Sequence, residues 1–253
     1  MKIAVCIKQV VTPETRVRPN ASGSWIREDA AAWALNEPDA YALEEALRLK
    51  ERHGGEVVAI SAGPARVTQV LREALARGAD RAIHVNGDHL ATSDPSTTAG
   101  ALAAGLEGEA VDLVLTGLQS DDQGFAQVGV ILAERLDAVH STIVVGIEVQ
   151  EGALRVKREL EGGWFQWIAM PLPAVLTVQS GINQLRYATL KGIMAAKKKE
   201  LRVVAAPAAP PPAHRILSMR VPVGTKATRM IEGAPAEAAA ELARALRDDA
   251  LVN

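Results

Sequence analysis

The stretch Glu56-Val-Val-Ala-Ile-Ser-Ala-Gly-Pro-Ala-Arg-Val-Thr-Gln-Val-Leu-Arg-Glu-Ala-Leu-Ala-Arg-Gly-Ala-Asp-Arg-Ala-Ile-His-Val85 decides the fold. Glu56 to Ser61 is a β-branched run too brief for a helix, and it reads as a buried strand. Gly63-Pro64 then opens a helix through Arg77, which Gly78 can terminate. Arg81 to Val85 follows as another short buried strand. A strand, a helix and a strand in close succession call for parallel pairing and a right-handed crossover.

The alternation continues in both directions. Upstream, Lys2 to Lys8 is a short apolar run bounded by charge, the first strand. After an irregular stretch through Gly23, the segment from Pro38 to Arg52 places Ala42, Leu43, Ala46, Leu47 and Leu49 at helical spacing, with Glu44 one turn before Arg48. Downstream, Ser93-Asp94-Pro95 has the form of an N-cap followed by a first-turn proline, ahead of an Ala-rich helix. Asp112 to Thr116 is a fourth strand, and helical spacing resumes from Gly124 to Leu136. The fold class is therefore α/β, a doubly wound parallel sheet covered on both faces.

From Ile143 the texture changes to Ile143–Val149, a turn at Gln150-Glu151-Gly152, Ala153–Leu160, Gly162-Gly163 and Trp164–Ala169, an antiparallel meander. Ala174 to Val178, behind Pro171 and Pro173, is a buried strand that can rejoin the main sheet. The meander, about 143–170, is thus an insertion at the sheet edge of a domain spanning 1–201. Residues 202–253 form a C-terminal arm. It begins with the Pro-rich linker Ala206–Ala213 and ends with a helix, Pro235 to Leu251, whose stripe of Ala239, Leu242 and Leu246 is too narrow to fold alone. Such a helix needs its own domain or a partner subunit to dock on.

Composition narrows the function. With 28 basic and 30 acidic residues the formal charge is -2, so the broad basic face that nucleic acid requires is not expected. One cysteine forms no internal disulfide, and the five histidines, His53, His84, His89, His140 and His214, show no metal-ligand spacing. A reducing cytoplasmic setting is expected. No apolar run reaches the ~18 residues of a membrane span, and Lys2 enters a short apolar run without a signal-peptide pattern. Membrane insertion is not expected.

In an open parallel sheet, ligands bind beyond the carboxyl ends of the strands, where strand order reverses. Segments that converge there are Cys6 to Lys8, the loop around Asn36, Ser61-Ala62-Gly63, and Gly117-Leu-Gln-Ser-Asp-Asp-Gln-Gly-Phe-Ala-Gln-Val-Gly129. In the last, glycines let the backbone approach a ligand, and the following helix offers free N–H groups to a phosphate. Gln119, Ser120 and Gln127 add side-chain hydrogen-bonding groups. The pattern is neither G-x-G-x-x-G nor a Walker loop. Cys6 reads as a small buried hydrophobe, and Asp121 and Asp122 lack an acid/base partner, so no catalytic set is expected. Trp164, Phe165 and Trp167 read as packing of the meander. Tyr187 to Lys199 joins Leu190, Ile193 and Met194 to a basic run. It reads as a solvated amphipathic helix or as a docking surface with an apolar anchor and a charged rim.

One long spaced pattern is more specific than any of these. Val156-x-Arg158-x-x-Glu161-Gly162-Gly163-x-x-Gln166-x-Ile168, followed by Pro173-x-Val175-Leu176-Thr177, resembles the signature of the beta (small) subunit of electron-transfer flavoproteins. Asn36 with Tyr41-Ala-Leu-Glu-Glu-Ala46, Gly78-Ala-Asp-Arg81, and Arg186-Tyr-Ala-Thr-Leu190 leading to Lys197-Lys-Lys199 match as well. The resemblance covers Met1 to about Leu201 and implies an adenine-nucleotide-binding, Rossmann-like domain. It implies a heterodimer whose alpha subunit holds a redox-active FAD, while the beta subunit binds AMP. Positions implied for that ligand are Cys6, Asn36, Glu37, Pro38, Asp39, Ala62 and the loop of Gly117, Gln119, Ser120, Asp121, Asp122, Gln123, Gly124, Phe125, Ala126, Gln127 and Val128, with Lys8 added by the strand-end reading. In the family the docking loop, about 184–199, inserts a leucine into a partner dehydrogenase, a role that falls on Leu190.

Two departures matter. Ala126-Gln127-Val128-Gly129 stands where many AMP-binding members have Asn-Gln-Thr-Gly, and it is similar to electron-bifurcating members that hold a second FAD. Ser120-Asp-Asp-Gln-Gly124 fits neither group, so AMP and a second FAD both stay open. Ala195 replaces a lysine of the family. The implied role is electron transfer from dehydrogenases through FAD to a quinone oxidoreductase or other acceptor, with no catalytic acid, base or nucleophile from this chain. Two alternatives are a free-standing nucleotide-sensing module and an ATP-using ligase. The second would need a Ser-Gly-Gly loop where this chain has Lys8-Gln-Val-Val11.

Overall fold

The computed structural model describes residues 1–208, 211–222 and 228–248. Residues 209–210 of the expected linker and 249–251 of the expected last helix lie outside the described residues. The chain divides into two units, Met1–Met219 and Arg220–Asn253.

In chain order the elements are β1 (Lys2–Cys6), β2 (Gln9–Val11), β3 (Trp33–Leu35), α1 (Glu37–His53), β4 (Glu56–Gly63), α2 (Thr68–Arg77), β5 (Arg81–Asn86), α3 (Pro95–Gly105), β6 (Leu113–Gly117), α4 (Val128–Arg135), β7 (Val139–Gln150), β8 (Ala153–Glu159), β9 (Phe165–Pro171), β10 (Ala174–Val178), α5 (Leu190–Ala196), β11 (Leu201–Ala205) and α6 (Pro235–Asp248). One nine-stranded sheet runs β11-β5-β4-β1-β6-β10-β7-β8-β9. Strands from β11 to β7 pair in parallel, and β7, β8 and β9 are antiparallel. This is the expected doubly wound, Rossmann-like α/β fold, extended at one edge by the meander.

Side-chain alternation along the buried strands builds two cores, one on each face. Ile3 and Val5 of β1 join Val57, Leu113, Leu43, Leu71 and Leu75 under α1 and α2. Ala4 and Cys6 join Val58, Ile60, Val114, Leu102 and Leu132 under α3 and α4. The β1 strand therefore reads as continuously apolar because neither of its faces meets water. Chain order leads from β1 through β4 to β5 on one side, then returns to β6 on the other, so strand order reverses beside β1. The Asp94 cap is as expected: its side chain accepts the Thr97 amide at 2.7 Å, ahead of Pro95.

Several boundaries differ from the sequence reading. Helix α4 starts at Val128 rather than Gly124, because Gly124 and Ala126 hold left-handed φ values of 63° and 54° that a right-handed helix does not admit. Strand β7 starts at Val139, not Ile143, and its first half pairs in parallel with β10 before its second half enters the meander. The polar run His140-Ser-Thr142 hid that first half. The stretch through Gly23 read as irregular contributes β2, which pairs with β3, from residues beyond that stretch, in a two-stranded antiparallel ribbon. The arm expected from 202 begins as β11, a parallel edge strand on β5, and the compact unit closes at Met219. In the second unit, no residue of α6 is buried; Leu242 and Leu246 face out, and Arg229 pairs with Glu241.

Leu176 of β10 is fully buried between β6 and β7. Leu176→Ala is expected to lower unfolding stability by about 2–5 kcal/mol, read as a shift in the urea midpoint.

Candidate functional site

The C-terminal ends of β1, β4 and β6 open into a cleft of ≈ 150 Å³. Asp39, in the first turn of α1, is the tie across its floor. Its carboxylate accepts the Lys8 amide at 2.8 Å and the Gly117 amide at 2.9 Å, joining the ends of β1 and β6. Gly117 is required for this approach, since a Cβ there would lie 2.5 Å from Asp39 Oδ1 and 2.6 Å from Pro38 Cβ. Burial pushes the Asp39 pKa up to about 6, and the two amides only partly oppose that shift.

Asn36 and Lys8 hold the loop that follows β6. Asn36 leaves its own helix uncapped; its Nδ2 donates to Gln119 O at 3.2 Å, and its Oδ1 accepts the Asp121 amide at 3.0 Å. Asp121 in turn accepts the Glu37 amide at 3.2 Å, so the loop caps α1 from outside. Lys8 Nζ donates to Ser120 Oγ at 3.1 Å, Asp122 Oδ1 at 2.6 Å and Gln123 Oε1 at 2.9 Å. The loop leads to α4, whose N-terminus has no side-chain cap. Its first-turn amides therefore remain as donors for an anion. Gly129 packs so closely on Thr116 and Thr177 that a Cβ would lie 2.6 Å from Thr177 Cγ2, which keeps this helix end near the sheet.

Of the ligand positions expected from sequence, Cys6, Lys8, Asn36, Asp39, Ala62, Gly117, Gln119, Ser120, Asp122, Gln123, Phe125, Ala126 and Val128 line the cleft. Glu37, Pro38, Asp121, Gly124 and Gln127 do not. They form the start of α1, its external cap and the turns that lead into α4. Burial pushes the Cys6 thiol well above its usual range, so it stays protonated and packs as an apolar side chain.

Gln9, Trp25, Trp33 and Arg66 also line the cleft and were missed. Arg66 lies over the Trp33 ring, 4.0 Å from its centroid, and shares Glu28 with Trp25 Nε1. Burial lowers the Arg66 pKa, and Glu28 opposes it. Gln9 Oε1 and Arg66 Nε and Nη1 are buried without a hydrogen-bond partner among the described residues. Trp33 lies on β3 and Trp25 in the loop between β2 and β3, a segment without periodicity, so nothing local marks them; Gln9 and Arg66 stand just past the ends of β1 and β4, beyond where the strand-end reading stopped. The rim is tied to the chain beyond β11: Asp94 Oδ2 accepts the Ala213 and His214 amides, and His214 meets Phe125 edge-on at 4.8 Å.

Away from the cleft, Leu190 and Met194 are 84% and 63% exposed, and Ile193 is half-exposed. Among the described residues no cluster of His, Cys, Asp or Glu could hold a metal ion, and no helix is long and apolar enough to cross a membrane.

A donor-lined cleft at the switch point of a doubly wound α/β domain is where such folds bind ligands. The electron transfer flavoprotein domain model matches residues 24–209. The chain is 37% identical to the electron transfer flavoprotein subunit beta of Methylophilus methylotrophus, with 98% of each chain covered. It is 35% identical to the protein of that name in Bacillus subtilis over 90% of this chain and 91% of the relative, and 37% identical to the human one over 81% of each. This chain belongs to the electron-transfer flavoprotein family.

Asp39→Asn would set an amide donor against a backbone donor and leave a buried group unpaired, at a cost of about 1–3 kcal/mol. The sign of its pH dependence follows from the raised pKa of about 6: proton uptake favours the folded state, most fully below the unfolded carboxyl value, and the gain is lost as pH rises through 6. Urea titrations from pH 4 to 7 are therefore expected to show the wild type gaining on Asp39→Asn as the pH falls.

Proposed function

We propose that this chain is the beta subunit of a heterodimeric electron-transfer flavoprotein, binding an adenine nucleotide in the cleft beside β1. It serves as a carrier subunit, and its alpha partner holds the redox-active FAD. When bound, that FAD would supply the redox chemistry by which electrons pass from a dehydrogenase to a quinone oxidoreductase or other acceptor. The supporting observation is the cleft itself, with Asp39 joining β1 to β6 and the uncapped start of α4 opposite. These groups bind, orient and enclose a ligand; they offer no positioned base or nucleophile. The Asn36 to Asp39 turn and the Gly117 to Val128 loop hold the adenylate moiety on this reading. Bound AMP would stabilise the folded chain by mass action.

A second FAD in the same cleft, as in electron-bifurcating members, is favoured by one further observation. The unpaired Gln9 and Arg66 groups, beside the Trp33 ring, offer partners to a ligand longer than AMP. Leu190, with Ile193 and Met194 beside it, is the docking anchor for the dehydrogenase, and the chain works in the cytoplasm.

Denaturing the purified heterodimer and quantifying the released nucleotides tests the reading. One FAD with one AMP makes it a simple carrier, two FAD without AMP make it bifurcating, and failure to bind flavin or an alpha subunit refutes the proposal. Leu190→Ala is expected to raise the donor dehydrogenase KM about tenfold and to leave nucleotide content unchanged.

A further inference from the structure

The docking segment is held by groups that lie outside it. Glu44 of α1 is 4% exposed, yet it carries a charge. Its Oε2 accepts the Arg186 amide at 3.2 Å and Arg186 Nε at 2.7 Å, while its Oε1 accepts Arg186 Nη2 at 3.1 Å and Arg48 Nε at 2.8 Å. Arg186 turns its other edge to Glu51, with Nη1 at 2.6 Å from Oε1. Arg48 adds a bond from Nη2 to Gln184 O at 2.9 Å. Burial works against the ionised Glu44, but the bonds from Arg186 and Arg48 outweigh it and hold its pKa below the usual value. The pair is therefore charged at neutral pH.

The far end of the segment is fixed as well. Arg72 Nη1 donates to Ala196 O at 2.6 Å and Lys199 O at 3.0 Å, and Lys199 Nζ donates to Leu75 O and Ala79 O. Between these ends, a Cβ on Gly192 would fall 2.3 Å from Ala76 O, so α5 rests directly on the backbone of α2. Apolar side chains thus stand out from a backbone fixed at both ends, and Tyr187, next to Arg186, is 88% exposed.

Stability alone does not explain this arrangement, since buried ion pairs replaced by packed apolar groups are often as stable or more so. A fixed backbone, in contrast, lowers the ordering cost when an exposed anchor binds a partner. We propose that Glu44 is a positioning residue: through Arg186 its buried carboxylate fixes the backbone that presents Leu190 to the dehydrogenase. This inference rests on the docking reading of Leu190 given above.

The test uses the heterodimer as wild type, Glu44→Gln, Leu190→Ala and the double variant. Amide hydrogen exchange over residues 187–196 is expected to speed up about tenfold in Glu44→Gln, while amides of β1, β4 and β6 keep their wild-type rates. With a flavin dehydrogenase that reduces the wild-type heterodimer, Glu44→Gln is expected to raise the donor KM about 3- to 10-fold at unchanged kcat. The same change made beside Leu190→Ala is expected to add nothing. Unchanged exchange at 187–196, or equal acceleration in the central strands, overturns the positioning role. So does a Glu44→Gln effect on KM that persists in full beside Leu190→Ala. If Leu190→Ala alone leaves KM unchanged while Glu44→Gln still loosens the segment, the docking reading itself fails and the role of Glu44 reduces to local order.

Discussion

The rest of the site depends on one buried carboxylate. Asp39 receives the amides that end β1 and β6, the two strands between which the sheet changes direction. Parallel strands splay at such a point, and their last N–H groups need partners. A carboxylate on the first turn of α1 supplies both partners at once and sits near the positive end of that helix. With that bond in place, Gly117 must lack a side chain, and the following loop must leave the sheet over α1. Asn36, Asp121 and Lys8 then hold the loop in a shape that leaves the start of α4 open.

The same fold uses charge differently away from the cleft. Glu44 and Asp39 lie on α1, one helical turn and a residue apart, and both are buried. Asp39 is held by backbone amides, and burial dominates its pKa. Glu44 is held by two guanidinium groups; burial raises its pKa most strongly of any one cause, but the bonds and charge of the guanidinium groups together outweigh it and lower the pKa. One helix thereby organises the cleft at its N-terminus and the exposed apolar segment along its side. A change in α1 can reach both without either being in contact with the other.

How much was legible in the sequence follows from what each residue's signal depends on. β1 and the βαβ stretch from β4 to β5 were read correctly because their apolar runs are continuous and buried on both faces, and because Gly78 and Pro64 punctuate them. The Asp94 cap was legible for the same local reason. α4 was placed too early because its hydrophobic spacing extends into Gly124 to Gln127, where φ is left-handed at two positions. β11 was hidden by the proline-rich texture that follows it, and β7 by its polar start. Thirteen of the expected ligand positions line the cleft: Cys6, Lys8, Ala62 and Gly117 stand at or just past strand ends, and the others belong to the turn around Asn36 and Asp39 or to the loop after β6. Trp25 and Trp33 could not be found that way, because their place there depends on a two-stranded ribbon with no periodic signal, whereas Arg66 stands just past the end of β4.

Sequence by itself therefore determined the alternating α/β class, the location of the cleft at the strand ends and the family. Each of these is carried by residues near one another in the chain, where periodicity, turn chemistry and motif spacing operate. Only the tertiary structure decided which carboxylates are buried and what holds them. Glu44 meets Arg186, and Asp39 meets Gly117, across long separations in sequence. Hydrogen bonds and burial between distant segments are set by how the helices pack on the sheet, and no local pattern encodes them.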